Sequence, residues 1–234
     1  MINIKLNNIN SNSITGLLIQ SLPPISKPLM RTNIEEIDGR DGDIVTKLGY
    51  SAYDKDVSIG LYGNYDIDEV IKYFNSEGNV IFSNEPDKYY KYQIINQIDF
   101  EKLIRFKTAD VTFHVQPFKY SVNDNSYVLD IVDNVDNFII ENKGNVNSKP
   151  TITIYGSGTI NLSLNGMQIF VIDLGDNEYI TIDSAEMNAY KGNTLMNRKI
   201  IGDYSNLSLI EGNNTISWTG TVTRVEIENY SRWI

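Results

Sequence analysis

The sequence contains no cysteine and a single histidine, His114. Without cysteine the chain has no disulfide framework and no thiol chemistry, which fits a reducing cytoplasm. Zinc sites built from cysteine and histidine are excluded by composition. A serine nucleophile with a histidine base would depend on His114, and no Gly-x-Ser-x-Gly motif accompanies it. These absences argue against an enzyme, and we predict no catalytic residue, metal site or cofactor.

Long apolar runs are also missing. The longest, such as Ile169–Ile172, fall far below the roughly 20 residues that a membrane-spanning helix needs. No apolar region with a small-residue cleavage site follows Lys5, so we expect no secretory signal. The net charge is −10, whereas a nucleic-acid-binding surface needs clustered lysine and arginine. We therefore expect neither membrane insertion nor specific nucleic-acid binding.

Alanine is scarce, with 4 residues against 28 asparagines. Asparagine favours turns and alanine favours helix interiors, while the 15 tyrosines and the abundant isoleucine, valine and threonine favour strands. Residues 1–122 carry 16 acids and 13 bases (−3), and residues 123–234 carry 14 and 7 (−7), which together give −10. The polar run Ser121–Ser126 reads as a linker. We predict a mainly β protein with domains at 1–122 and 123–234.

One helix is predicted in the first domain, over Asp66–Asn75. Asp66 and Glu69 form a capping-box pattern, and Gly78 is placed to end the helix. The apolar residues fall on one stripe: Ile67, Val70, Ile71 and Phe74.

The alternation over Val111–Val115 predicts a strand with one apolar face. Pro117 cannot donate to a ladder, so the strand is expected to stop there or to lie on an edge. His114 lies on the polar side of this alternation, and we interpret it as a sheet-face residue.

An arm is predicted over Arg31–Asp43, after the proline-rich stretch Pro23–Pro28. Asp-Gly occurs twice in it, at Asp38-Gly39 and Asp41-Gly42, which indicates a tight turn or an arched loop. The aspartates do not have the spacing of an EF-hand calcium loop, so we interpret them as solvated turn acids.

The second domain reads as short strands that suit a β-sandwich, including residues 127–140, Thr215–Trp218 and Val222–Ile227. Asn165-Gly166 supplies the positive φ angles of a type I′ hairpin turn. Gly156–Gly158 lacks the pattern of a phosphate-binding loop, and we predict a turn there.

Trp218 and Trp233 leave a second class of function open. Aromatic faces stack on sugar rings, but large aromatic side chains more often bury area as core or interface anchors. Contact with a glycan through Trp218 and Trp233 is therefore kept as the alternative.

Six segments occur in an order that resembles a known family. They are Ile37–Gly42, Val111–Tyr120, Asn145–Gly158, Ile180–Asp183, Asn197–Asp203 and Gly212–Trp218. Their succession over nearly the whole chain resembles the distal tail protein (Dit) family of siphophages, a component of the tail-tip or baseplate hub.

The resemblance implies a homohexameric ring that joins the tail tube to the baseplate or fibre hub. It implies an N-terminal β-sandwich-like ring domain and a C-terminal galectin-like β-sandwich. The implied partners are the tail tube protein, a tail-associated fibre or hub protein and a receptor-binding protein, at the virion tail tip after assembly in the host cytoplasm. Sugar-binding galectins use a His-Asn-Pro-Arg stretch, and residues 123–234 contain no histidine. A scaffold is therefore expected, and a carbohydrate-binding module for cell-wall glycan is the alternative.

The arm is the predicted contact between subunits. Unpaired strand edges and arched loops can pair with a neighbour, and cyclic closure satisfies the edge of every copy. A solvated loop with weak local ion pairs is the competing interpretation. The residues expected at the contact are Arg31, Glu35, Glu36, Arg40 and Asp41.

Overall fold

The structure, a computed structural model, describes residues 2–124, 126–131, 135–176 and 179–234. It divides into two compact units, one of residues 1–122 counted together with Ile234 and one of residues 123–233. Strands predominate in both, so the prediction of a mainly β protein is confirmed. The predicted linker includes residue 125, and the predicted strand region 127–140 includes residues 132–134; these positions lie outside the described residues.

The first unit consists of an antiparallel sheet with two helices and a separate hairpin. The sheet has the strand order β2-β1-β7-β8-β9-β6-β3, and β4 and β5 form the hairpin. The elements are β1 (Ile4–Leu6), β2 (Ile9–Asn10), β3 (Leu17–Ser21), β4 (Met30–Glu36), β5 (Asp43–Tyr50), β6 (Tyr53–Leu61), α1 (Ile67–Phe74), β7 (Gly78–Phe82), β8 (Lys88–Ile94), α2 (Phe100–Phe106) and β9 (Thr108–Ser121).

Helix α1 forms where the sequence predicts it and covers one core. Its residues Val70, Tyr73 and Phe74 are buried in the same cluster as the apolar residues of β6 and β9. The Asp66 carboxylate accepts hydrogen bonds from the backbone N–H groups of Asp68 and Glu69, as an N-cap does. The predicted capping box is only half present, because the Glu69 carboxylate accepts a bond from the Thr15 N–H instead. The helix also ends at Phe74, before Gly78, which starts β7.

The prediction of a single helix is wrong, because α2 is a second one. The Asp99 carboxylate caps it by accepting a hydrogen bond from the Lys102 N–H at 2.8 Å, and Lys107 ends it with a φ of 59°. Leu103 is its one buried residue. Seven residues with one buried position do not produce the repeated apolar stripe from which a helix is recognised.

Strand β9 does not stop at Pro117. The last pair between β9 and β6 is Val115 with Tyr53, and the register of β9 against β8 shifts between Tyr90 and Tyr92. Pro117 lies within that shift, where a missing N–H costs no regular ladder bond. The strand continues to Ser121 because only its pairing is interrupted.

The second unit is a sheet built around two long strands, β12 and β18. The order is β10-β18-β12-β14-β15-β16, with β11 on β18, and β13 joined to both β12 and β17. The strands are β10 (Ser126–Asp130), β11 (Asn137–Asn142), β12 (Thr151–Leu164), β13 (Met167–Gly175), β14 (Tyr179–Asp183), β15 (Asn188–Lys191), β16 (Thr194–Leu195), β17 (Ile200–Gly202) and β18 (Gly212–Glu228). A further short strand, β19 (Arg232–Trp233), follows them and does not belong to this sheet.

Strands β12 and β18 pair with each other and are bent at glycines. The turn predicted at Gly156–Gly158 is wrong, since these residues lie inside β12, and the two strands predicted over 215–227 are one. A Cβ on Gly156 would lie 2.1 Å from the Thr221 carbonyl oxygen. Gly220 has a φ of 102°, and a Cβ there would lie 2.4 Å from the Thr159 oxygen. The glycines therefore let the two backbones cross closely at the bend.

The bend folds the sheet over one core. Ile152 and Ile154 before it, and Ile160 and Leu162 after it, belong to the same buried cluster. One half of β12 pairs with β14 and the other half with β13, so each long strand serves both halves of a sandwich-like unit.

The predicted hairpin turn at Asn165-Gly166 is confirmed. Asn165 has a φ of 51° and Gly166 a φ of 80°, and the turn joins the pair Leu164 and Met167. A register shift follows, so Phe170 and Ile172 are buried where simple alternation would have buried Val171.

We expect Gly156→Ala to destabilise the second unit more than Gly158→Ala. The first change forces the β18 backbone to move, at a cost of about 3 kcal/mol. The second has open space around its Cβ and costs only the left-handed φ of 73°, about 1 kcal/mol. Urea unfolding followed by tryptophan fluorescence measures both, because the two tryptophans lie in this unit. Equal losses would contradict the account of the bend.

Candidate functional site

The structure brings no catalytic or metal-binding group together in the part of the chain that it describes. His114 lies on β9 directly opposite Asp54 of β6, with its Nδ1 2.7 Å from the Asp54 Oδ1 atom. Among the described residues, no group of three or more acidic or histidine side chains could hold a metal ion. None of the described helices has the length and apolar character that a membrane span requires.

The candidate site is the hairpin of β4 and β5, referred to below as the arm hairpin, residues 30–50. Its tip, residues 37–42, contains Gly39 and Gly42 at φ values of 81° and 78°. The Arg40 N–H donates to the Ile37 carbonyl at 3.1 Å. The Asp-Gly pairs therefore form the tip of a hairpin, as their spacing predicts.

No residue that the structure describes covers the arm hairpin, because every residue from 31 to 49 is exposed. Ile34 and Val45 lie opposite each other with exposed fractions of 57% and 54%. A two-stranded sheet without a covered apolar face is marginally stable in water. The exposed pair therefore marks a surface that another molecule can cover.

The predicted contact residues are spread along the arm hairpin. Arg31 lies near its base, where an Nη atom approaches the Leu48 carbonyl at 3.5 Å. Glu36 lies on the face of Ile34 and Val45, and Glu35 lies on the other face. Arg40 and Asp41 occupy the tip.

Sequence reasoning ended the arm at Asp43 and so missed half of it. Strand β5 continues to Tyr50 and supplies the exposed residues Ile44, Val45 and Leu48. The signal that was available is a run of β-branched and apolar residues directly after the second Asp-Gly, which is the usual composition of a hairpin's second strand.

The base of the arm hairpin is tied to the sheet. The Ser51 N–H donates to the Leu29 carbonyl at 2.9 Å, and the Tyr50 ring meets the Phe118 ring edge-on, with 5.8 Å between centroids.

The proline-rich stretch before it is held by side chains of the sheet unit. Asn84 Nδ2 donates to the Pro23 carbonyl at 3.0 Å, and Lys55 Nζ donates to the Pro24 carbonyl at 2.9 Å. Proline fixes its own φ, so two such bonds fix the direction in which the chain leaves the sheet.

Lys55 belongs to a buried polar cluster. It is 3% exposed and its Nζ lies 5.0 Å from the centre of the Tyr90 ring. The Tyr90 hydroxyl donates to Glu85 at 2.6 Å, and Glu85 also pairs with Lys119. Burial lowers the pKa of Lys55 to about 8, although the charge of Glu85 opposes this shift. Burial likewise raises the pKa of Tyr90, and its hydrogen bond to Glu85 adds to that rise.

The two tryptophans do not form an exposed platform in the structure. Trp218 is 5% exposed and lies in the core of the second unit. The centres of the Trp218 and Phe138 rings are 6.1 Å apart. Trp233 is half-buried in β19. A sugar ring needs an open aromatic face, and Trp218 does not offer one.

Residues 5–115 match the family described as phage tail protein RIFT-related domain. No curated protein matches the chain in sequence.

Solved structures are similar over both units. One is SPP1 Dit (gp 19.1), described as a paradigm of the hub adsorption apparatus in phages that infect Gram-positive bacteria, with a TM-score of 0.69 at 16% identity over 100% of both chains. Chains of the phage p2 baseplate in its activated conformation are similar as well. With Sr the TM-score is 0.55 at 11% identity, over 98% of this chain and 97% of that one. With Ca it is 0.54 at 9% identity, over 98% of each. The fold that the resemblance to the distal tail protein family implies is therefore shared with SPP1 Dit over the whole chain.

We expect Lys55→Met to remove a pH dependence from the stability of the first unit. Folded Lys55 loses its proton near pH 8 and the unfolded side chain near 10.5, so the unfolded state binds more protons between these values. Stability of the wild type relative to the variant should therefore rise with pH across that window, by about 3 kcal/mol.

Hydrogen exchange of peptides from β6 measures this difference, since the intrinsic exchange rates cancel between the two proteins. The matched control is Lys72→Met, because Lys72 is an exposed lysine of α1. A wild-type curve that runs parallel to that of Lys55→Met would contradict the role of burial.

Proposed function

We propose that this chain is a structural protein of a phage tail tip, where copies form a closed ring that joins the tail tube to the host-adsorption apparatus. The observation that carries the proposal is the arm hairpin, whose side chains are all exposed over residues 31–49. The phage tail family match over residues 5–115 and the fold shared with SPP1 Dit support it. The chain acts by assembly and not by catalysis.

The two units have different roles in this proposal. The first unit forms the ring, and its arm hairpin contacts the neighbouring copy through the predicted set Arg31, Glu35, Glu36, Arg40 and Asp41. The second unit is a galectin-like β-sandwich that faces outward and docks partners. Six copies per ring is the number that the family resemblance implies. The partners are the tail tube protein on one side and a fibre, hub or receptor-binding protein on the other, in a virion tail assembled in the host cytoplasm.

A contact of this kind forms a ring, and not a growing fibre, when the rotation from one copy to the next closes on itself. One copy offers the arm hairpin and the next offers a different surface, so the contact is heterologous. Each copy then has its exposed apolar pair covered and its hairpin stabilised. The glycan-binding alternative is not proposed, because Trp218 is buried.

We expect the full chain to have a mass several times its 26.6 kDa in light scattering and to give ring images by electron microscopy. Replacing residues 31–49 by Asn-Gly should give a folded monomer, because Met30 and Tyr50 are an antiparallel pair that a two-residue turn can join.

The matched control is Leu195→Asp, which makes an exposed apolar residue of the second unit charged and should leave the mass unchanged. Circular dichroism checks that all three proteins are folded. A full chain that stays monomeric at micromolar concentration, also in the presence of the tail tube protein, would exclude the ring.

A further inference from the structure

Helix α2 presents a basic and apolar surface that the core does not use. Leu103 is fully buried, whereas Ile104 is 40% and Phe106 62% exposed. Lys102, Arg105 and Phe106 follow the i, i+3, i+4 spacing and therefore share one face. Neither the Lys102 nor the Arg105 side chain forms a hydrogen bond or ion pair with another residue that the structure describes. This face thus offers two cations beside the exposed Phe106 ring, whereas Ile104, two positions before Phe106, lies on another side of the helix.

The arm hairpin presents the complementary pattern. Glu36 pairs with Asp43 two positions along from the pair Ile34 and Val45, so all four side chains lie on one face. Neither the Glu36 nor the Asp43 side chain is bonded to another described residue. This face therefore offers two anions beside two exposed apolar side chains.

One residue of opposite sign occurs on each surface. Lys47 lies on the same face of the arm hairpin, two positions beyond Val45, and Glu101 lies in the first turn of α2. On the hairpin face two acids stand against this one base, and on the helix two bases stand against this one acid. The hairpin face is therefore acidic in sum and the helix basic. The complementarity therefore holds in sign and in apolar character together.

The two surfaces belong to opposite ends of the same unit. The arm hairpin lies next to the start of β6, because it ends just before Tyr53. Helix α2 lies next to the end of β6, because Thr108, which follows the helix, pairs with Gly60. Seven residues of strand separate these positions by about 23 Å. The base of the hairpin contacts Phe118, on the part of β9 that is far from Thr108. Complementary surfaces at two ends of one unit suit a head-to-tail contact between copies.

We propose that the arm hairpin of one copy docks on α2 of the next copy. Ile34 and Val45 cover Phe106, while Glu36 and Asp43 lie beside Lys102 and Arg105. The inference rests on the proposed ring and adds the receiving surface to it. Opposite charges steer the two surfaces together and fix their register, and the apolar contact removes both patches from water.

The occupant is a second copy of this chain and not a nucleic acid. A polyanion would need a continuous cationic track. The third base of this region, Lys107, donates to the Tyr65 hydroxyl at 3.0 Å and lies over its ring. The two remaining cations beside the exposed Phe106 ring fit a surface that is partly acidic and partly apolar.

Reciprocal charge exchange tests the contact. The hairpin variant combines Glu36→Lys with Asp43→Lys, and the helix variant combines Lys102→Glu with Arg105→Glu. All four positions are exposed, so both variants should fold. We expect each variant alone to shift from ring to monomer in light scattering, with at least a tenfold rise in the concentration needed for assembly.

An equimolar mixture of the two variants should assemble again. Each exchanged hairpin then meets an exchanged helix, and each natural hairpin meets a natural helix, in an alternating ring. The chain carrying all four substitutions should also assemble by itself. The matched control is Glu186→Lys with Glu211→Lys, which makes the same change of charge at exposed positions of the second unit and should leave the mass unchanged.

The outcomes separate this inference from the proposed function. If the wild type forms a ring and both variants keep it, the arm hairpin does not dock on α2, although the ring stands. The same conclusion follows if the variants are monomeric and neither the mixture nor the fourfold variant assembles. A wild type that never assembles would overturn the ring itself.

Discussion

A two-stranded sheet is stable only when something covers one of its faces, and β4 and β5 meet solvent on both. The sequence places strand-forming residues there, including Ile34, Ile44 and Val45, and it joins them by an Asp-Gly tip. The local sequence thus favours a hairpin, while the free energy that stabilises it has to come from a contact outside the unit. In the proposed ring, contact with a neighbouring copy supplies that energy, since burial of apolar area on contact is favourable. The role proposed for the first unit follows from this one uncovered hairpin.

The remainder of the first unit gives the hairpin a defined direction. Two carbonyls of the proline-rich stretch accept hydrogen bonds from Asn84 and Lys55, and the Tyr50 ring packs on Phe118. Holding Lys55 in a buried position costs solvation free energy, and its lowered pKa reports that cost. Buried polar groups of this kind are costly as a source of stability but define one geometry. In the proposed ring the arm hairpin meets a neighbour at one angle, and a defined geometry at its base serves that contact.

The second unit solves a different problem, which is to close a sheet over its own core. Glycines at the bends of β12 and β18 allow the close backbone crossing, and buried amides complete the hydrogen bonding. Asn214 is fully buried, and its side chain accepts from the Ile210 N–H and donates to the Ile210 carbonyl. Asn142 is 1% exposed and donates to two carbonyls. The abundance of asparagine therefore serves buried connections as well as turns, which composition alone does not distinguish.

The features that depend on a few neighbouring residues can be predicted from the amino-acid sequence. The apolar stripe and cap of α1, the Asn165-Gly166 turn, the alternating strands and the charged arm all follow from local periodicity and from φ preferences. The continuous bent strands, the short helix α2 and the full length of the arm hairpin depend on contacts between distant parts of the chain. A bend at Gly156 depends on the distance to Thr221 in another strand, and the exposure of Val45 depends on what fails to pack against it. Such distances exist only once the chain has folded.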